Sequence, residues 1–311
     1  MNAAEFRLYS HPACLAHDTG EGHPERPARL ITVLAALAAQ FPGVIRHDDH
    51  APRASIEELS RVHAPHYIAQ VLETQPGADL HWLDADTALS PGSAEAALRA
   101  AGAVVAATDW VLGGENRRAF CAVRPPGHHA EPAAAMGFCL FDNVAVGAAH
   151  AFAAHGVERI AIADFDVHHG NGTQAIFERE PRLLFVDTHQ MPLYPGTGAA
   201  AETGVGNIAN APYPPLSSGA DVRALWRDAL LPRLDAFAPS VLFVSAGFDA
   251  HRDDPLAQGL LDADDFGWIT AQLVEIANRH ANGRIVSTLE GGYDLAALAA
   301  SAVAHVAALR G

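Results

Sequence analysis

An aspartate and a histidine two residues apart, Asp166 and His168, follow an apolar run at residues 160–163 and precede a glycine-rich segment. The run is typical of a buried strand, and side chains at i and i+2 of an extended chain point to the same side. A carboxylate oxygen and an imidazole nitrogen are ligands that a borderline cation such as Zn²⁺ or Fe²⁺ accepts. The spacing therefore predicts a metal site at the end of a strand.

The same pair has a simpler interpretation, in which the aspartate caps a helix that follows the strand. A third candidate ligand favours the metal site. Asp249 follows another apolar run, at residues 241–245, although by itself it could equally cap a helix after a glycine turn. Two carboxylates and one imidazole neutralise a divalent cation and leave coordination positions open, as a catalytic site requires. We therefore predict that Asp166, His168 and Asp249 bind a catalytic metal.

Two consecutive histidines, His128 and His129, follow a rigid Pro-Pro-Gly turn. Such a pair is usually a surface feature. Beside a metal, however, one imidazole could take a proton from water while the second stabilises charge or protonates a leaving amine. Asp164 and Asn171 flank the metal ligands and are predicted to hydrogen-bond the far ring nitrogens. Because a carboxylate raises the basicity of a ring more than an amide does, the two imidazoles are expected to differ in pKa.

Three aromatic side chains near the starts of loops are candidates for substrate contact. Tyr293 follows two glycines and could donate its hydroxyl to an oxyanion, or it could be an ordinary core or rim tyrosine. Phe138, behind Gly137, and Tyr194 could form the walls of a narrow apolar slot, although aromatic residues at loop ends more often only pack. The residues alone leave both interpretations open.

Strand-like and helix-like segments alternate along the chain. Apolar runs predict strands at residues 6–9, 120–123, 160–164, 183–186, 241–245 and 285–289. Periodic apolar patterns predict helices at residues 26–41, 55–72, 93–112, 144–154, 221–237, 263–278 and 295–309. The alternation predicts an α/β fold with a parallel sheet covered by helices on both faces. Ligands in such folds gather beyond the carboxyl ends of the strands, where most of the candidate residues lie.

Composition limits the classes of protein. The chain has 311 residues, 50% of them hydrophobic, and no linker or repeat divides it, so a single domain spanning 1–311 is predicted. The sequence has no signal-peptide pattern and no membrane-spanning apolar stretch, so a cytoplasmic protein is expected. Three distant cysteines, Cys14, Cys121 and Cys139, indicate neither a disulfide framework nor a thiolate zinc site. The formal charge of −16 argues against nucleic acid and anionic membranes as partners and mildly favours cationic ones.

The motifs together resemble those of the histone deacetylase family, within the arginase–deacetylase superfamily. They occur in the family's order and cover most of the chain: GHPERPAR (22–29), RPPGHHAEP (124–132), GFC (137–139), DFDVHHGNGTQ (164–174), YPGTG (194–198), SAGFD (245–249) and LEGGY (289–293). The resemblance implies one catalytic domain with a mainly parallel eight-stranded sheet. It also implies Zn²⁺ bound by Asp166, His168 and Asp249, and hydrolysis of an N-acyl amine.

The resemblance also implies individual roles. His129 would be the general base and then the acid, His128 an electrostatic partner tied to Asp164, and Tyr293 the oxyanion donor. The substrate tunnel would be lined by five residues: Gly137, Phe138, Tyr194, Leu256 and Gly292. Arg29 would lie near an internal pocket for the departing acetate.

Some positions suggest a place within the family. Asn171 resembles class II members and their bacterial relatives, and Tyr293 suggests full oxyanion stabilisation. Leu256 stands where polyamine-selective relatives carry an acidic residue, although Asp253 or Asp254 could substitute for it. Asp187 stands where relatives commonly have a serine near a structural potassium ion. A carboxylate is still a hard-oxygen ligand, so we expect K⁺ to be retained with altered affinity.

These features predict a zinc-dependent deacetylase acting on N-acyl-lysine in peptides or proteins, with an acetylpolyamine amidohydrolase as the alternative enzyme. A non-catalytic acyl-lysine binder and a binuclear ureohydrolase of the same superfamily are two competing hypotheses. The sequence does not determine the acyl length, the natural substrate, the oligomeric state, or whether Zn²⁺ or Fe²⁺ is the native metal.

Overall fold

The strands and helices are those of a computed structural model of the protein, which describes residues 4–77 and 79–311. The strands are β1 Glu5–Tyr9, β2 Arg46–Asp48, β3 His81–Trp82, β4 Ala88–Leu89, β5 Arg117–Cys121, β6 Ile160–Asp164, β7 Leu183–Asp187, β8 Ile208–Asn210, β9 Val241–Ala246 and β10 Ile285–Leu289. The helices are α1 Pro27–Gln40, α2 Ile56–Leu59, α3 Pro65–Glu73, α4 Ser93–Leu112, α5 Asn143–His155, α6 Asn171–Phe177, α7 Gly219–Leu225, α8 Leu231–Phe237, α9 Ala263–His280 and α10 Leu295–Arg310.

Eight of the strands form one sheet in the order β2-β1-β5-β10-β9-β6-β7-β8. Each pairing in this sheet is parallel, whereas β3 and β4 form a separate antiparallel pair. Helix α4 packs on α5, and α10 packs on both α1 and α9, so helices flank the sheet. The predicted α/β fold with an eight-stranded sheet is confirmed.

The central strands are apolar because they are covered on both faces. All five residues of β6 are buried, and so are all six of β9. A parallel sheet between helix layers needs such continuous apolar runs, since neither face of the strand meets water. The strand order places β5, β10, β9 and β6 side by side, so the loops that follow them meet at one edge of the sheet.

Two predicted elements differ from the structure. The strand predicted at residues 120–123 lies earlier, at Arg117–Cys121, because the polar pair before the apolar run also joins the ladder with β1 and β10. The single helix predicted at residues 55–72 is wrong, since α2 and α3 are separated by residues 60–64. Pro65 has no amide hydrogen to continue a helix, and the amide of Ala64 donates to the carbonyl of Pro132 at 2.7 Å.

The remaining predicted elements lie within a few residues of observed ones. The predicted helix at residues 221–237 corresponds to α7 and α8, which are joined by one π-helical turn, Trp226–Leu230. The patterns did not predict the short edge strands β2 and β8 or helix α6. Within the described ranges, no helix combines the length and the apolar character that crossing a bilayer requires.

Candidate active site

The residues predicted to bind metal or take part in catalysis follow four adjacent strands and lie close together. The histidine pair follows β5, the motif with two metal-ligand candidates follows β6, Asp249 follows β9 and Tyr293 follows β10. Because these strands are neighbours in the order β5-β10-β9-β6, segments more than 160 residues apart in sequence meet above the sheet. This is the edge at which open α/β sheets bind ligands.

Asp166, His168 and Asp249 form a compact buried group. Their relative exposures are 1%, 9% and 0%, and one donor atom from each lies within 4.8 Å of the others. Nδ1 of His168 is 3.0 Å from Oδ1 of Asp166 and 3.1 Å from Oδ2 of Asp249. The three side chains therefore present two carboxylates and an imidazole to a common point.

The chemistry of this group suits a divalent cation. Burial lowers the pKa of His168, but hydrogen bonds to Asp166 and Asp249 outweigh it and raise the pKa to about 10. The pocket therefore favours a positive charge at the point where a metal would bind. Gly291 leaves room for the carboxylates, because a Cβ there would lie 2.1 Å from Oδ2 of Asp249 and 2.5 Å from Oδ2 of Asp166.

The histidine pair lies beside this group, and each ring has a different partner. The ring centroids of His128 and His129 are 4.0 Å apart. Nδ1 of His128 is 3.0 Å from Oδ2 of Asp164, and Nδ1 of His129 is 2.8 Å from Oδ1 of Asn171. The amide nitrogen of Asn171 donates to Glu131 at 2.9 Å, which turns its oxygen toward His129. Nδ1 of His129 must therefore carry the hydrogen, and its Nε2 keeps a free lone pair.

Because their partners differ, the two imidazoles have pKa values shifted in opposite directions. Burial lowers the pKa of His128, but the charges of Asp166 and Asp164 raise it well above its ordinary value. For His129, burial and the neighbouring imidazoles of His128 and His168 together hold the pKa well below its ordinary value. The surroundings thus favour the protonated form of His128 and the neutral form of His129.

Glu290 is a residue of the candidate site whose role was not predicted from the sequence. Its Oε2 accepts hydrogen bonds from the backbone amides of Gly127 at 2.7 Å and His128 at 3.2 Å. The carboxylate therefore fixes the loop that carries the histidine pair. Its position directly after the apolar run of β10 could have indicated a role, because a buried carboxylate at the end of a strand usually has a partner.

A cavity of about 240 Å³ reaches one of the two histidines, His129. Its lining residues are Asp86, His129, Gly137, Phe138, His168, Leu193, Tyr194, Leu256 and Tyr293. Asp86 and Leu193 were not predicted from the sequence, because neither belongs to a motif that carries chemistry.

The aromatic residues of the cavity are positioned by the surrounding backbone. A Cβ at Gly137, where φ is +56°, would lie 2.3 Å from Cδ2 of His129, so this turn approaches the ring as only glycine permits. Tyr194 stands edge-on to His129 with centroids 5.3 Å apart, and Phe138 stands edge-on to Tyr293 at 5.9 Å. The backbone amide of Tyr293 donates to Oδ2 of Asp254 at 2.7 Å.

Asp254 consequently does not face the cavity mouth. Its carboxylate is 7% exposed and accepts backbone amides of Tyr293 and Leu256. The carboxylate of Asp253 is exposed instead and lies 3.7 Å from Nδ1 of His251. Of the two, only Asp253 is free to meet a substrate at the surface.

Arg29 lies fully buried behind Tyr293. Its guanidinium carbon is 4.9 Å from the ring centroid of Tyr293, and it donates to the carbonyls of Gly292 at 2.6 Å and Glu290 at 2.5 Å. A further nitrogen donates to Glu25 at 3.0 Å. Arg29 therefore supports the segment that carries Tyr293. Gly292 contacts Arg29 through its carbonyl and does not line the cavity.

Asp187 lies next to Asp164 on the neighbouring strand, in register with it. The carboxylate is fully buried, accepts the amide of Gly170 at 2.9 Å and lies 2.8 Å from Nδ1 of His189. Two buried carboxylates on adjacent strands concentrate negative charge beside the histidine pair.

Comparisons with known proteins show which family this chain resembles. A family model described as the histone deacetylase domain matches residues 23–309. The histone deacetylase-like amidohydrolase of Pseudomonas aeruginosa is 43% identical over 291 residues, covering 91% of this chain and 74% of that protein. A probable deacetylase of Archaeoglobus fulgidus is 36% identical over 294 residues, covering 92% of this chain and 80% of that protein.

A solved structure matches over almost the whole chain. The crystal structure of the HDA15 HD domain superposes with a TM-score of 0.92 at 35% sequence identity, covering 98% of this chain and 88% of that one. The family model, the relatives and this superposition agree with the resemblance carried by the motifs. On these grounds the chain belongs to the histone deacetylase family.

Proposed function

We propose that this protein is a zinc-dependent amidohydrolase that removes acetyl or another short acyl group from N-acyl-lysine in peptides or proteins. Family membership supports hydrolysis of an acylated substrate. The observation that carries the proposal is that one cavity is lined by His168 of the two-carboxylate group, by the imidazole of His129 with its free Nε2, and by Tyr293.

Asp166, His168 and Asp249 would hold the Zn²⁺, because this donor set neutralises a divalent cation and is compatible with open coordination positions. When bound, the ion would supply Lewis-acid chemistry by polarising the amide carbonyl and making water more acidic. Fe²⁺ accepts the same donors and is the alternative metal.

His129 is the proposed proton carrier. Its Nε2 lone pair is free because Nδ1–H is donated to Asn171, and its lowered pKa keeps it neutral at neutral pH. It would accept the proton of the attacking water and then deliver it to the leaving amine. His128, held cationic by Asp164 and Asp166, would stabilise negative charge that develops beside it.

Tyr293 would donate a hydrogen bond to the oxyanion of the tetrahedral intermediate. Its 8% exposure and its position in the cavity lining support contact with a bound acyl group. Arg29 holds the backbone around Tyr293 through Gly292 and Glu290, and we propose that the acetate pocket lies beside its guanidinium.

The remaining cavity residues would bind the substrate chain. Phe138 and Tyr194 offer aromatic faces to an extended alkyl group, Gly137 admits it close to His129, and Leu256 stands at the mouth with 36% exposure. An apolar slot of this kind suits the methylene chain of lysine.

An acetylpolyamine amidohydrolase remains the second candidate because of one observation. Asp86 lines the cavity, and Asp84 lies exposed two residues before it, so carboxylates stand near the mouth where the far ammonium of a polyamine would lie. Leu256 is the opposing feature, since it places an apolar side chain at the same mouth.

The ratio of kcat/KM for an acetyl-lysine peptide to kcat/KM for an N-acetylated polyamine decides between the lysine deacetylase and the polyamine amidohydrolase. We expect a ratio well above one, and a ratio well below one would make the polyamine the substrate. Leu256→Glu should lower the ratio, because it adds a carboxylate at the mouth. Leu216→Glu, at a more exposed leucine outside the cavity lining, is the matched control. No turnover of either substrate by the zinc-loaded protein would support a non-catalytic binder.

We also propose that K⁺ binds near the buried Asp164 and Asp187 carboxylates. Their adjacent negative charges support a monovalent cation there. Activity should therefore depend on K⁺ concentration in a titration at constant ionic strength. Indifference to K⁺ would contradict this assignment.

A cytoplasmic location is proposed as well. The three cysteines are free and buried, as suits a reducing compartment. Cell fractionation would test the location, and recovery outside the cytoplasm would contradict it.

A further inference from the structure

A group of two histidines and one aspartate lies toward the other end of α5 from the candidate active site. Nε2 of His150 and Nε2 of His155 are each 2.7 Å from Oδ1 of Asp109. Asp109 lies in the last turn of α4, and His155 is the last residue of α5. Two helices that pack together therefore direct two imidazoles and a carboxylate to one point.

The group is accessible from one side only. The side chain of His150 is 9% exposed, that of His155 28% and that of Asp109 54%. The imidazole of His150 is thus the buried member of the group, whereas Asp109 and His155 are in contact with solvent. Water can complete the coordination of an ion on the open side, which four-coordinate or six-coordinate divalent cations need.

The surroundings of His150 determine which of its nitrogens is free. Its Nδ1 lies 2.9 Å from a guanidinium nitrogen of Arg61 and 3.7 Å from Oε1 of Glu58. Because a guanidinium only donates, Nδ1 accepts from Arg61 in this structure, and Nε2 carries the hydrogen that it donates to Asp109. Binding of an ion to Nε2 therefore requires the hydrogen to be on Nδ1 instead and the Arg61 guanidinium to move aside. Glu58, which is beyond hydrogen-bond distance as it stands, would then be the carboxylate available to accept from Nδ1, and such a partner raises the basicity of a ligating imidazole. Another terminal nitrogen of Arg61 is already paired with Glu57 at 3.0 Å.

We propose that Asp109, His150 and His155 form a second binding site for a divalent transition-metal ion, with Zn²⁺ as the best-suited ion. Imidazole and carboxylate donors at this spacing match zinc, and the ion joins the ends of α4 and α5. It binds the folded protein and stabilises it, because the unfolded chain does not hold the three donors together.

This site is separate from the proposed catalytic centre. Helix α5 begins beside that centre, where the side chain of Asn143 donates to the carbonyl of Pro125 at 3.1 Å. The helix is 13 residues long and ends at His155, which lies roughly 18 Å farther along the helix axis. A second ion per chain would therefore not indicate a binuclear reaction centre of the ureohydrolase type.

The test is a count of bound zinc in wild-type protein and two variants. His155→Ala and Asp109→Asn each remove one donor at an exposed or partly exposed position, so both variants should fold. After equilibrium dialysis against micromolar free Zn²⁺, we expect wild-type protein to retain one more ion per chain than either variant. We also expect Zn²⁺ to raise the unfolding temperature of wild-type protein more than that of the variants.

The control is His280→Ala. His280 also pairs with an aspartate at a helix end, since its Nε2 is 2.8 Å from Oδ1 of Asp235, but Arg279 rather than a second histidine completes that group. This variant should keep the wild-type zinc count. Equal zinc counts in wild-type protein and His155→Ala would overturn the proposal, and so would an equal loss in His280→Ala.

The comparison does not depend on the catalytic proposal. A protein without a catalytic zinc would still show a difference of one ion between wild type and His155→Ala. In addition, Arg61→Met removes the guanidinium that donates to Nδ1 of His150, so the second ion should bind with a lower Kd than in wild-type protein. A weaker second site in Arg61→Met would contradict the assigned role of His150.

Discussion

His128 and His129 are consecutive in the chain, yet their surroundings give them opposite protonation preferences. The carboxylates of Asp164 and Asp166 raise the pKa of the first ring, and burial with cationic neighbours lowers the pKa of the second. Asn171 adds a directional constraint, because its oxygen accepts from Nδ1 of His129. One loop can thus supply a fixed positive charge and a proton acceptor side by side.

Tyr293→Phe tests the proposed oxyanion donor. The change removes only the hydroxyl, and the loss of one such donor costs about 10²–10³ in kcat, so a decrease of that size is expected. KM should change much less, because the hydrogen bond forms mainly in the transition state. Steady-state kinetics on the acetyl-lysine peptide measure both constants.

The control for this variant is zinc content, which Tyr293→Phe should leave unchanged because the hydroxyl is not a proposed ligand. Wild-type turnover in Tyr293→Phe would remove this residue from the mechanism. A fall in kcat accompanied by metal loss would instead indicate damage to the metal site.

Gly291→Ala tests how closely the backbone approaches the metal group. The new Cβ would lie 2.1 Å from Oδ2 of Asp249, so the carboxylates must shift. We expect at least a tenfold loss of activity and reduced zinc retention, since displacements of about 1 Å in a site cost up to about 10² in rate. Metal analysis after dialysis, together with kinetics, provides the measurement.

Gly77→Ala is the matched control, because no atom lies within 4 Å of a Cβ built there. It should retain wild-type zinc and activity. If Gly291→Ala bound zinc and turned over substrate normally, the carboxylates would have more freedom than the packing indicates.

The chemical residues of the site were more predictable than the residues that support them. Asp166, His168 and Asp249 have recognisable types, and each follows an apolar run. The roles of Glu290 and Glu131 depend on backbone amides and a side-chain amide brought close only by folding. Gly291 is similar, since its importance depends on carboxylates far away in the sequence.

At the scale of elements, long periodic helices and buried strands were predicted well and interrupted or marginal elements were not. Helix α4 lies at the predicted residues, because its apolar pattern runs unbroken between glycines. The break before α3 depends partly on His63, whose Nε2 accepts the amide of Asp142 at 2.9 Å. That contact spans 79 residues, so local periodicity cannot report it.

Short edge strands escape prediction for a related reason. Strand β2 contains only Arg46, His47 and Asp48, which have no apolar pattern, and it forms because β1 offers a free parallel edge. Pairing of this kind is a property of the assembled sheet rather than of the three residues.

Gly267→Ala is a prediction at this scale. Gly267 lies inside α9, and a Cβ there would meet Cβ of Ala304 on α10 at 3.5 Å, an ordinary contact. Alanine loses less backbone entropy than glycine in a helix, so the free energy of unfolding should rise by about 0.5–1 kcal/mol. Urea denaturation measures the change. A destabilised variant would show that α9 and α10 pack too tightly at this point to accept a methyl group.

At the scale of the whole molecule, the proposed site depends on strand order. The segments after β5, β6, β9 and β10 become neighbours only because β10 and β9 insert between β5 and β6. Alternation of strands and helices predicted a parallel sheet, but not this order. The resemblance to a family supplied the eight-stranded arrangement that periodicity alone could not.

Folding also buries ionisable groups, and His305 shows how such burial makes the stability of the protein depend on pH. Its Nδ1 is 2.7 Å from the hydroxyl of Thr270 on α9, and its Nε2 is 2.9 Å from the hydroxyl of Ser287 on β10. The ring therefore joins α10, α9 and the sheet. Burial lowers its pKa from 6.5 to about 3.

A lowered histidine pKa means that the unfolded chain binds a proton at pH values where the folded protein does not. The contribution of His305 to stability is therefore fully present above about pH 6.5 and falls as the pH decreases toward about 3. Between pH 7 and pH 5 the expected loss is about 2 kcal/mol, at 1.36 kcal/mol for each unit below 6.5. His305→Gln keeps hydrogen-bonding capacity but cannot titrate, so its stability should decline less over this interval by about that amount.

Urea denaturation of both proteins at pH 7 and pH 5 gives this double difference, in which other titrating groups and any bound metal cancel. His66→Gln, at an exposed position, controls for the loss of one histidine and should follow the wild-type pH dependence. Equal pH dependence in wild type and His305→Gln would mean that the buried ring is protonated in the folded protein. In that case both hydroxyl partners would have to accept hydrogen bonds from the ring, and the junction of α9, α10 and β10 would carry a positive charge.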